Sequence, residues 1–386
     1  MHRQINLTIP INSLGYGMHG MGYYKILKDA GYEVSVSKIG NNKSIETTVV
    51  PLIEDLGLLE PIREDMKRGD FDAPNFIVWH SNQFSQMIKP DVPNIGASAF
   101  ELQPITAEEQ AGFDLVDVAV TYSEWGLEQI NNPVKTLVHG PIWSTYGLNS
   151  GNVPHIPGIE NKPIFISPGK WEERKGHPDL VKIITRLAKK DKEFAIFGFW
   201  NNIFTGYLNQ PLQCLRDKDW IVVQMYNIGN QMTYILELNK ATVVLFGHVE
   251  KYTDMLGYYK MADGAISLSR GEGWDMPIVD LLGLGIPVLM TNNTAHTEYV
   301  NPAFSIDRGI LQEANDGIFF RGQGNWDYPY FPECNTKVNH FITNQPIRNF
   351  WTPEYKRHFD SVANPANVLK QIETAISMAE ACPIKK

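Results

Sequence analysis

The sequence has few cysteines and lacks any long apolar run. Its three cysteines, Cys214, Cys334 and Cys382, are odd in number and widely spaced, which argues against a disulfide framework and against a cysteine-rich zinc site. No segment approaches the roughly 18 apolar residues that a membrane-spanning helix needs. We therefore expect a cytoplasmic protein of a reducing compartment, with no stable insertion into a membrane.

Basic residues are scarce in the first part of the chain. Residues 1–155 contain 10 Lys and Arg against 18 Asp and Glu, whereas residues 156–386 contain 24 against 25. Because duplex nucleic acid and anionic bilayers are bound through cationic side chains, the acidic part is a poor general platform for either. The remaining composition, with 43% hydrophobic and 20% charged residues, is that of an ordinary globular protein.

Short β-branched segments alternate with longer amphipathic ones, which predicts parallel sheets covered by helices. The length of 386 residues favours two domains. A segment rich in Gly, Pro and Asn, residues 149–163, is the best linker. We therefore predict an N-terminal Rossmann-like domain over residues 1–155 and a C-terminal one over residues 156–362. An aromatic-rich insertion is expected at residues 315–360, and residues 363–386 should form a helix that packs on the N-terminal domain.

A glycine-rich segment follows the first predicted strand. Gly15 to Gly20 match the pattern G-x-G-x-x-G, whose glycines allow backbone N–H groups to approach a phosphate. A plain tight turn before a helix over Met21–Ala30 explains the same residues. The next strand ends at Lys38 without the acidic residue that would bind an adenine ribose, which argues against a nicotinamide enzyme.

Three cations stand close together between a predicted strand and a predicted helix. The segment Ser167–Gly176 (SPGKWEERKG) places Lys170, Arg174 and Lys175 near the positive end of that helix. Such a position favours the binding of diphosphate oxygens. Taken alone, the same three cations are also explained by simple exposure to solvent.

The most informative segment is Ser267–Val288 (SLSRGEGWDMPIVDLLGLGIPV), in which seven residues separate Glu272 from Asp280. The turn offers the backbone N–H groups of Gly273 and Trp274, and a helix is predicted from Met276. Amides that contact phosphate or sugar oxygens, together with carboxylates that accept from hydroxyls, suit a nucleotide sugar. Because an uncompensated buried charge is costly, we expect a ligand hydroxyl to satisfy Asp280 on its apolar helix.

These motifs resemble those of the family-four retaining glycosyltransferases, and the resemblance covers roughly residues 1–300. The family carries two Glu residues separated by seven positions, matched here by Glu272 and Asp280. Its Gly-Arg and Lys-Gly pairs are matched by Gly169-Lys170 and by Lys175-Gly176. The stretch Leu137–Gly140 (LVHG), together with Ser123, resembles the family's Ser and His-Gly stretch. Two departures are Asp280, one methylene shorter than Glu, and Lys170, which cannot form the bidentate fork of Arg.

The resemblance implies an α/β fold of two facing Rossmann-like domains, the glycosyltransferase B fold, with a donor cleft between them. It implies retaining, metal-independent transfer of a hexosyl or pentosyl group from a nucleotide-diphosphate sugar to a hydroxyl acceptor, with no other cofactor. It assigns catalysis to Glu272, Lys170 and Lys175, and donor binding to Gly15, Gly17, Gly273, Trp274, Met276 and Asp280. On the acceptor side we place His80, Glu101 and Ser123, although a purely structural role for each stays open, as it does for His139.

The acceptor is expected to be a glycan or a small molecule. Residues 42–72 mix Lys43, Arg63, Lys67 and Arg68 with eight acidic residues, unlike the basic helix that goes with lipid acceptors. A modified DNA base is an alternative acceptor, since the aromatic residues of 315–360 can stack bases and four cations can contact phosphates: Arg321, Arg348, Lys356 and Arg357. A catalytically silent binding protein, and a phosphorylase or epimerase on the same fold, also stay open.

Overall fold

A computed structural model describes residues 3–40, 45, 49–148, 151, 153, 155–202, 208–228, 231–249, 251–362 and 364–382. The chain divides into two compact units. The first comprises residues 1–148, 272–276 and 361–386, and the second comprises residues 149–271 and 277–360. The division differs from the predicted domain boundaries chiefly in placing residues 272–276 with the first unit. Parts of the predicted linker, and Lys43, lie outside the described residues.

The first unit is built on a six-stranded parallel sheet. Its strands are β1 (Gln4–Ile9), β2 (Glu33–Lys38), β3 (Asn75–Val78), β4 (Asn94–Ala97), β5 (Val118–Thr121) and β6 (Lys135–Leu137), in the order β2-β1-β3-β4-β5-β6. Its first five helices are α1 (Gly15–Asp29), α2 (Val50–Asp55), α3 (Leu59–Asp65), α4 (Ala107–Leu115) and α5 (Glu124–Gln129). The central strands β3 to β5 are buried at every residue, as expected for a sheet covered on both faces.

Helix α1 begins at Gly15, and the prediction of a glycine-rich turn followed by a helix from Met21 is wrong. The glycines lie inside the helix because its backbone packs closely on neighbouring chain. A Cβ atom at Gly17 would clash with the backbone of Asn12, and one at Gly20 would lie 2.6 Å from the side chain of Ile9 in β1. Close helix–strand packing therefore explains two of the three glycines of the motif without a phosphate.

The second unit is built on an eight-stranded sheet. Its strands are β7 (Ile164–Pro168), β8 (Phe194–Phe199), β9 (Ile221–Ile228), β10 (Gln231–Leu238), β11 (Ala241–Leu245), β12 (Gly264–Ser267), β13 (Val288–Thr291) and β14 (Ser305–Ile306), in the order β14-β13-β12-β7-β8-β11-β10-β9. Strand β10 is antiparallel to both of its neighbours, and the other pairs are parallel. The helices that accompany this sheet are α6 (His177–Ala188), α7 (Asn209–Arg216), α8 (Tyr252–Lys260) and α9 (Met276–Gly283). The predicted α/β fold with two Rossmann-like domains is confirmed.

The aromatic-rich segment forms a ribbon and two helices. A separate antiparallel pair, β15 (Ile310–Asn315) and β16 (Arg321–Tyr328), is followed by α10 (Phe331–Thr343) and α11 (Gln345–Val362). Arg348, proposed above as a phosphate contact, is only 2% exposed and donates to the carbonyl oxygens of Phe341 and Ile342. Its guanidinium also lies 4.9 Å from the ring centre of Phe165. That expectation for Arg348 is therefore wrong, because the side chain stabilises the core of its own unit.

The last helix, α12 (Pro365–Ala381), belongs to the first unit. Its buried residues recur at three- and four-residue spacing, as on one face of a helix: Val368, Ile372, Ala375, Ile376 and Ala379. This face packs against α1 and the strands β4, β5 and β6. Within the described ranges, no helix is both long enough and apolar enough to cross a membrane.

Candidate functional site

The loops after β7 and β12 meet at the point where the second sheet reverses its strand order. Strand β7 has β8 on one side and β12 on the other, and ligands of open α/β sheets bind at the carboxyl ends of the strands at such a point. Gly169, directly after β7, has a φ of 104°, which favours glycine. Gly176, with a φ of 69°, leaves no room for a Cβ atom against the carbonyl oxygen of Leu268. We call residues 169–176 the cationic loop.

The cationic loop brings the three predicted cations around one carboxylate, Glu172. Lys170 Nζ lies 3.2 Å from Glu172 Oε1, and Arg174 Nη2 lies 3.2 Å from Glu172 Oε2. Burial raises the pKa of Glu172, but Arg174, Lys170 and Lys175 outweigh this effect and hold its pKa below the usual value. Glu172 therefore stays ionised at neutral pH. Counting Glu173, which pairs with Arg270 outside the loop, the loop carries three cations against two carboxylates, a net charge of +1.

Lys175 is only 8% exposed and extends along Gly169. A Cβ atom at Gly169 would lie 3.4 Å from Lys175 Nζ, so the glycine makes space for the ammonium group. Arg174 reaches the loop after β12, where its Nη1 donates to the carbonyl oxygen of Gly271 at 2.6 Å. Gly271 directly precedes the predicted catalytic Glu272 in the chain.

A buried histidine that the sequence analysis missed holds the cationic loop. His177 Nε2 lies 3.1 Å from the carbonyl oxygen of Gly169 and 3.2 Å from that of Lys170. Burial, followed by the charge of Lys175, lowers the pKa of His177 to about 3, so the ring is neutral at pH 7. Since carbonyl oxygens only accept, Nε2 carries the proton.

The other ring nitrogen of His177, Nδ1, is the last acceptor in a series of hydrogen bonds that runs from Trp200 through Ser167 to His177. The indole of Trp200 donates to Ser167 Oγ at 3.0 Å, and Ser167 Oγ lies 3.5 Å from His177 Nδ1. Because an indole N–H can only donate, the hydroxyl of Ser167 is left to donate to Nδ1. The sequence signal for these hydrogen bonds is the position of His177, directly after the Lys175-Gly176 pair.

Asp280 has a donor within its own unit. It lies in the second turn of α9, is 1% exposed, and accepts a hydrogen bond from the hydroxyl of Tyr252 at the start of α8. The sequence argument that Asp280 would lack a compensating group without a ligand is therefore wrong. Met276 is the first residue of the same helix α9.

In the first unit, the 272–276 loop lies against residues that follow β4 and β6. A Cβ atom at Gly273 would lie 2.5 Å from the Cβ atom of Ala99. Trp274 is 2% exposed, and its ring stacks on that of His139, with centres 5.2 Å apart. Glu272 is nearly buried as well. The structure thus brings Glu272, Gly273 and Trp274 to the carboxyl edge of the first sheet.

Tyr16 connects the start of α1 with the chain after β3 and β4. Its hydroxyl lies 3.0 Å from Ser98 Oγ and donates to the carbonyl oxygen of Ala99 at 2.8 Å, and its ring centre lies 4.5 Å from that of His80. The predicted acceptor-side His80 is exposed, and partial desolvation lowers its pKa. Gly15 and His80 therefore flank the point between β1 and β3 at which the first sheet reverses its order.

The other predicted acceptor-side residues are placed differently. Glu101 is half-buried in the chain after β4. Ser123 is buried and caps α5, since its Oγ accepts from the backbone N–H of Gly126 at 3.0 Å. A helix cap accounts for Ser123 without any ligand.

His19 is a second buried histidine that the sequence analysis missed. Its Nδ1 lies 2.9 Å from the carbonyl oxygen of Gly15, and its ring stacks on Tyr122 with centres 4.4 Å apart. Burial lowers the pKa of His19 to about 4, so it is neutral at pH 7. Its Nε2 has no hydrogen-bond partner among the described residues and lies beside Gly140. The sequence signal that could have drawn attention to His19 is its position inside the G-x-G-x-x-G pattern.

Part of the sequence matches a known protein family. Residues 154–317 match the model of the family Glycosyl transferases group 1. The chain carries a group 1 glycosyltransferase domain. The resemblance to glycosyltransferases drawn from the motifs is therefore confirmed. No curated protein matches the chain at a significant level of sequence similarity.

Solved structures share the fold of the whole chain. A glycosyltransferase from Rickettsia africae ESF-5 is 13% identical with a TM-score of 0.60, covering 99% of this chain and 100% of its own. Sucrose-phosphate synthase from Thermosynechococcus elongatus is 10% identical with a TM-score of 0.63, covering 98% and 100%. A structure described as trehalose-6-phosphate from E. coli bound with UDP-2-fluoro glucose is 9% identical with a TM-score of 0.61, covering 98% and 100%. At these identities the likeness shows the fold alone.

The glycosyltransferase domain contains most of the predicted donor-side residues: Lys170, Lys175, Glu272, Gly273, Trp274, Met276 and Asp280. Gly15, Gly17, His80, Glu101 and Ser123 lie outside the matched segment. Over the described part of the chain, no three His, Cys, Asp or Glu side chains are grouped so that they could hold a metal ion. The roles of the individual residues stay predictions.

Proposed function

We propose that this protein is a retaining, metal-independent glycosyltransferase that moves a hexosyl or pentosyl group from a nucleotide-diphosphate sugar to a hydroxyl of its acceptor. The observation that carries the proposal is the cationic loop. Inside the glycosyltransferase domain, Lys170, Arg174 and Lys175 surround a single carboxylate at the carboxyl end of β7. The excess positive charge, next to the close backbone turn at Gly169, suits a diphosphate.

The proposed reaction requires that the negative charge developing on the leaving diphosphate be stabilised. The bond between the anomeric carbon and the diphosphate oxygen breaks, and the oxygen keeps the electron pair. The acceptor oxygen bonds to the same face of the anomeric carbon and loses its proton, which ends on the diphosphate or in solvent. Lys170 and Lys175 stabilise the leaving diphosphate, and such preorganised charge is usually the largest catalytic contribution.

The remaining donor-side residues bind the sugar and the nucleoside in this proposal. Glu272 accepts from sugar hydroxyls, and the N–H groups of Gly273 and Trp274 donate to sugar or phosphate oxygens. Asp280, together with Tyr252, binds the ribose beside Met276. Gly15 and Gly17, at the start of α1, let the backbone approach the diphosphate.

The acceptor is proposed to be a glycan or a small molecule, bound near His80 and Glu101. The alternative of a modified DNA base loses one of its four cations, because Arg348 is committed to the core. We expect the reaction to take place in the cytoplasm, since all three cysteines are free thiols.

The test is a screen of thermal stability and donor hydrolysis with UDP-, GDP-, ADP- and TDP-sugars. We expect one nucleotide sugar to stabilise the protein and to be hydrolysed slowly, and Glu272→Ala and Lys175→Ala to lose the hydrolysis. Lys189→Ala is the matched control, because Lys189 is exposed and pairs with Asp219. If no nucleotide sugar stabilises the protein, the catalytically silent alternative replaces the proposal.

The stereochemistry needs its own measurement. NMR of the first product formed from an α-linked donor is expected to show an α-linked sugar. A β-linked product would contradict the retaining mechanism while leaving the transferase in place.

A further inference from the structure

A glutamine of the last helix makes two hydrogen bonds to a single histidine. The backbone N–H of His139 donates to Gln371 Oε1 at 2.9 Å, and Gln371 Nε2 lies 3.2 Å from His139 Nδ1. Because a backbone N–H can only donate, Oε1 of the amide must face it, and the amide N–H then faces Nδ1. His139 Nδ1 is therefore an acceptor in this contact, which places the ring N–H at Nε2.

The histidine held in this way supports Trp274. The two rings stack with centres 5.2 Å apart and planes inclined by 22°, and both residues are almost fully buried. Gly140, next to His139, has no room for a Cβ atom, which would clash with the indole of Trp274 and lie 2.6 Å from His19 Nε2. The indole therefore has little freedom to move relative to the His139 ring.

The helix that carries Gln371 is fixed to the sheet independently of His139. The side chains of Val368, Ile372 and Ala375 are buried on the inner face of α12, and Glu373 forms an ion pair with Arg3, the residue before β1. Gln371 is thus presented from a rigid element, 232 residues away from His139 in the sequence.

We propose that Gln371 is a positioning residue for the 272–276 loop. Its two hydrogen bonds fix the orientation of the His139 ring and the position of the ring N–H, and this ring is the surface against which Trp274 stacks. Gln371 thereby sets the directions of the N–H groups of Gly273 and Trp274 and of the Glu272 carboxylate. The importance of these directions for catalysis rests on the proposed function, whereas the hydrogen bonds and the stacking do not.

Two substitutions separate the parts of the contact. Gln371→Met keeps the length of the side chain and removes both hydrogen bonds. Gln371→Glu keeps the acceptor for the His139 backbone N–H and replaces the donor to Nδ1 by a carboxylate oxygen, which can only accept, so this hydrogen bond re-forms only when the ring carries its N–H on Nδ1. Lys370→Met is the matched control, because the adjacent Lys370 is exposed on the outer face of α12.

The readout is ¹⁹F NMR of the full chain labelled with 5-fluorotryptophan, in which Trp274→Phe identifies the Trp274 resonance. We expect this resonance to shift or broaden in both Gln371 variants and to stay in place in Lys370→Met. With the donor found by the screen, kcat/KM for the donor should fall about tenfold in Gln371→Met, with an unchanged KM for the acceptor. A milder loss is expected in Gln371→Glu.

An unchanged Trp274 resonance in Gln371→Met would overturn the proposal, whatever the activity. A shifted resonance with unchanged donor kinetics would overturn the positioning role and leave only a structural contact. If the unsubstituted protein turns over no nucleotide sugar, the proposed function fails, and with it the importance for catalysis. In that case the NMR result still decides whether Gln371 orders the loop.

Discussion

The two units fix their site loops over very different distances along the chain. In the second unit, the cationic loop is held by residues close to it in sequence, since Ser167, His177 and Trp200 all belong to the same βαβ unit. In the first unit, the 272–276 loop is held by Ala99 and His139, and His139 is held in turn by Gln371. The support of a locally held loop lies next to it in the sequence, whereas the support of a loop held from afar is assembled only once the chain has folded.

We expect the largest effect when the carboxylate of Glu272 is removed from the 272–276 loop. Glu272→Gln keeps the size of the side chain and removes the carboxylate proposed to bind donor-sugar hydroxyls. We expect kcat to fall by about 100- to 1,000-fold, the loss typical of one preorganised catalytic group. Steady-state kinetics would measure it, with the exposed Glu193→Gln as control. Activity within threefold of the unsubstituted protein would remove Glu272 from the mechanism.

A smaller effect is expected when the local support of the cationic loop is removed. His177→Phe leaves the carbonyl oxygens of Gly169 and Lys170 without their buried donor, which costs about 1–3 kcal/mol. If that cost falls on the geometry of the loop, KM for the donor rises by about 10- to 100-fold. His177→Gln, whose amide can donate to the same carbonyl oxygens, should recover part of the loss. Equal kinetics for Phe and Gln would show that the hydrogen bonds of His177 do not position the loop.

The pH dependence of stability compares the two units directly, through His19 in the first unit and His177 in the second. The pKa of His19 falls to about 4 and that of His177 to about 3, mainly through burial, from an ordinary value of 6.5. Between pH 6.5 and pH 4 the unfolded chain therefore binds protons that the folded chain does not. As the pH falls through this range, the free energy of unfolding should decrease by about 1.4 kcal/mol per pH unit for each histidine.

Urea unfolding at a series of pH values measures this slope. His19→Gln and His177→Gln should each remove about one histidine's share of it, and above pH 6.5 neither should change the slope. A slope that is the same in both variants and in the unsubstituted chain would mean that neither histidine is buried in its neutral form.

The sequence predicted most of the second unit's site because its parts are local. The strand–loop–helix order around Lys170 and Lys175 carries its geometry in the spacing of glycines and charges, and so do the parts of Ser267–Val288 on either side of residues 272–276. The family match over residues 154–317 covers the same part of the chain. Even here the prediction missed Tyr252, which donates to Asp280 from 28 residues away.

The first unit shows why the rest could not be predicted. The start of α1 was placed six residues late, because glycines normally weaken helices and here serve close packing on Ile9 and Asn12. Neither the stacking of Trp274 on His139 nor the role of Gln371 has any signal in local sequence, since these residues meet only through the fold.

The affinity for a nucleoside diphosphate tests the central claim, that the cationic loop binds the donor diphosphate. Titration calorimetry would compare the unsubstituted protein, Lys175→Gln and the exposed control Lys189→Gln, using the diphosphate of the donor found by the screen. We expect Lys175→Gln to weaken binding by about 10- to 100-fold, as the loss of one charge-assisted hydrogen bond predicts, and the control to bind normally. Equal Kd values for all three proteins would contradict the account.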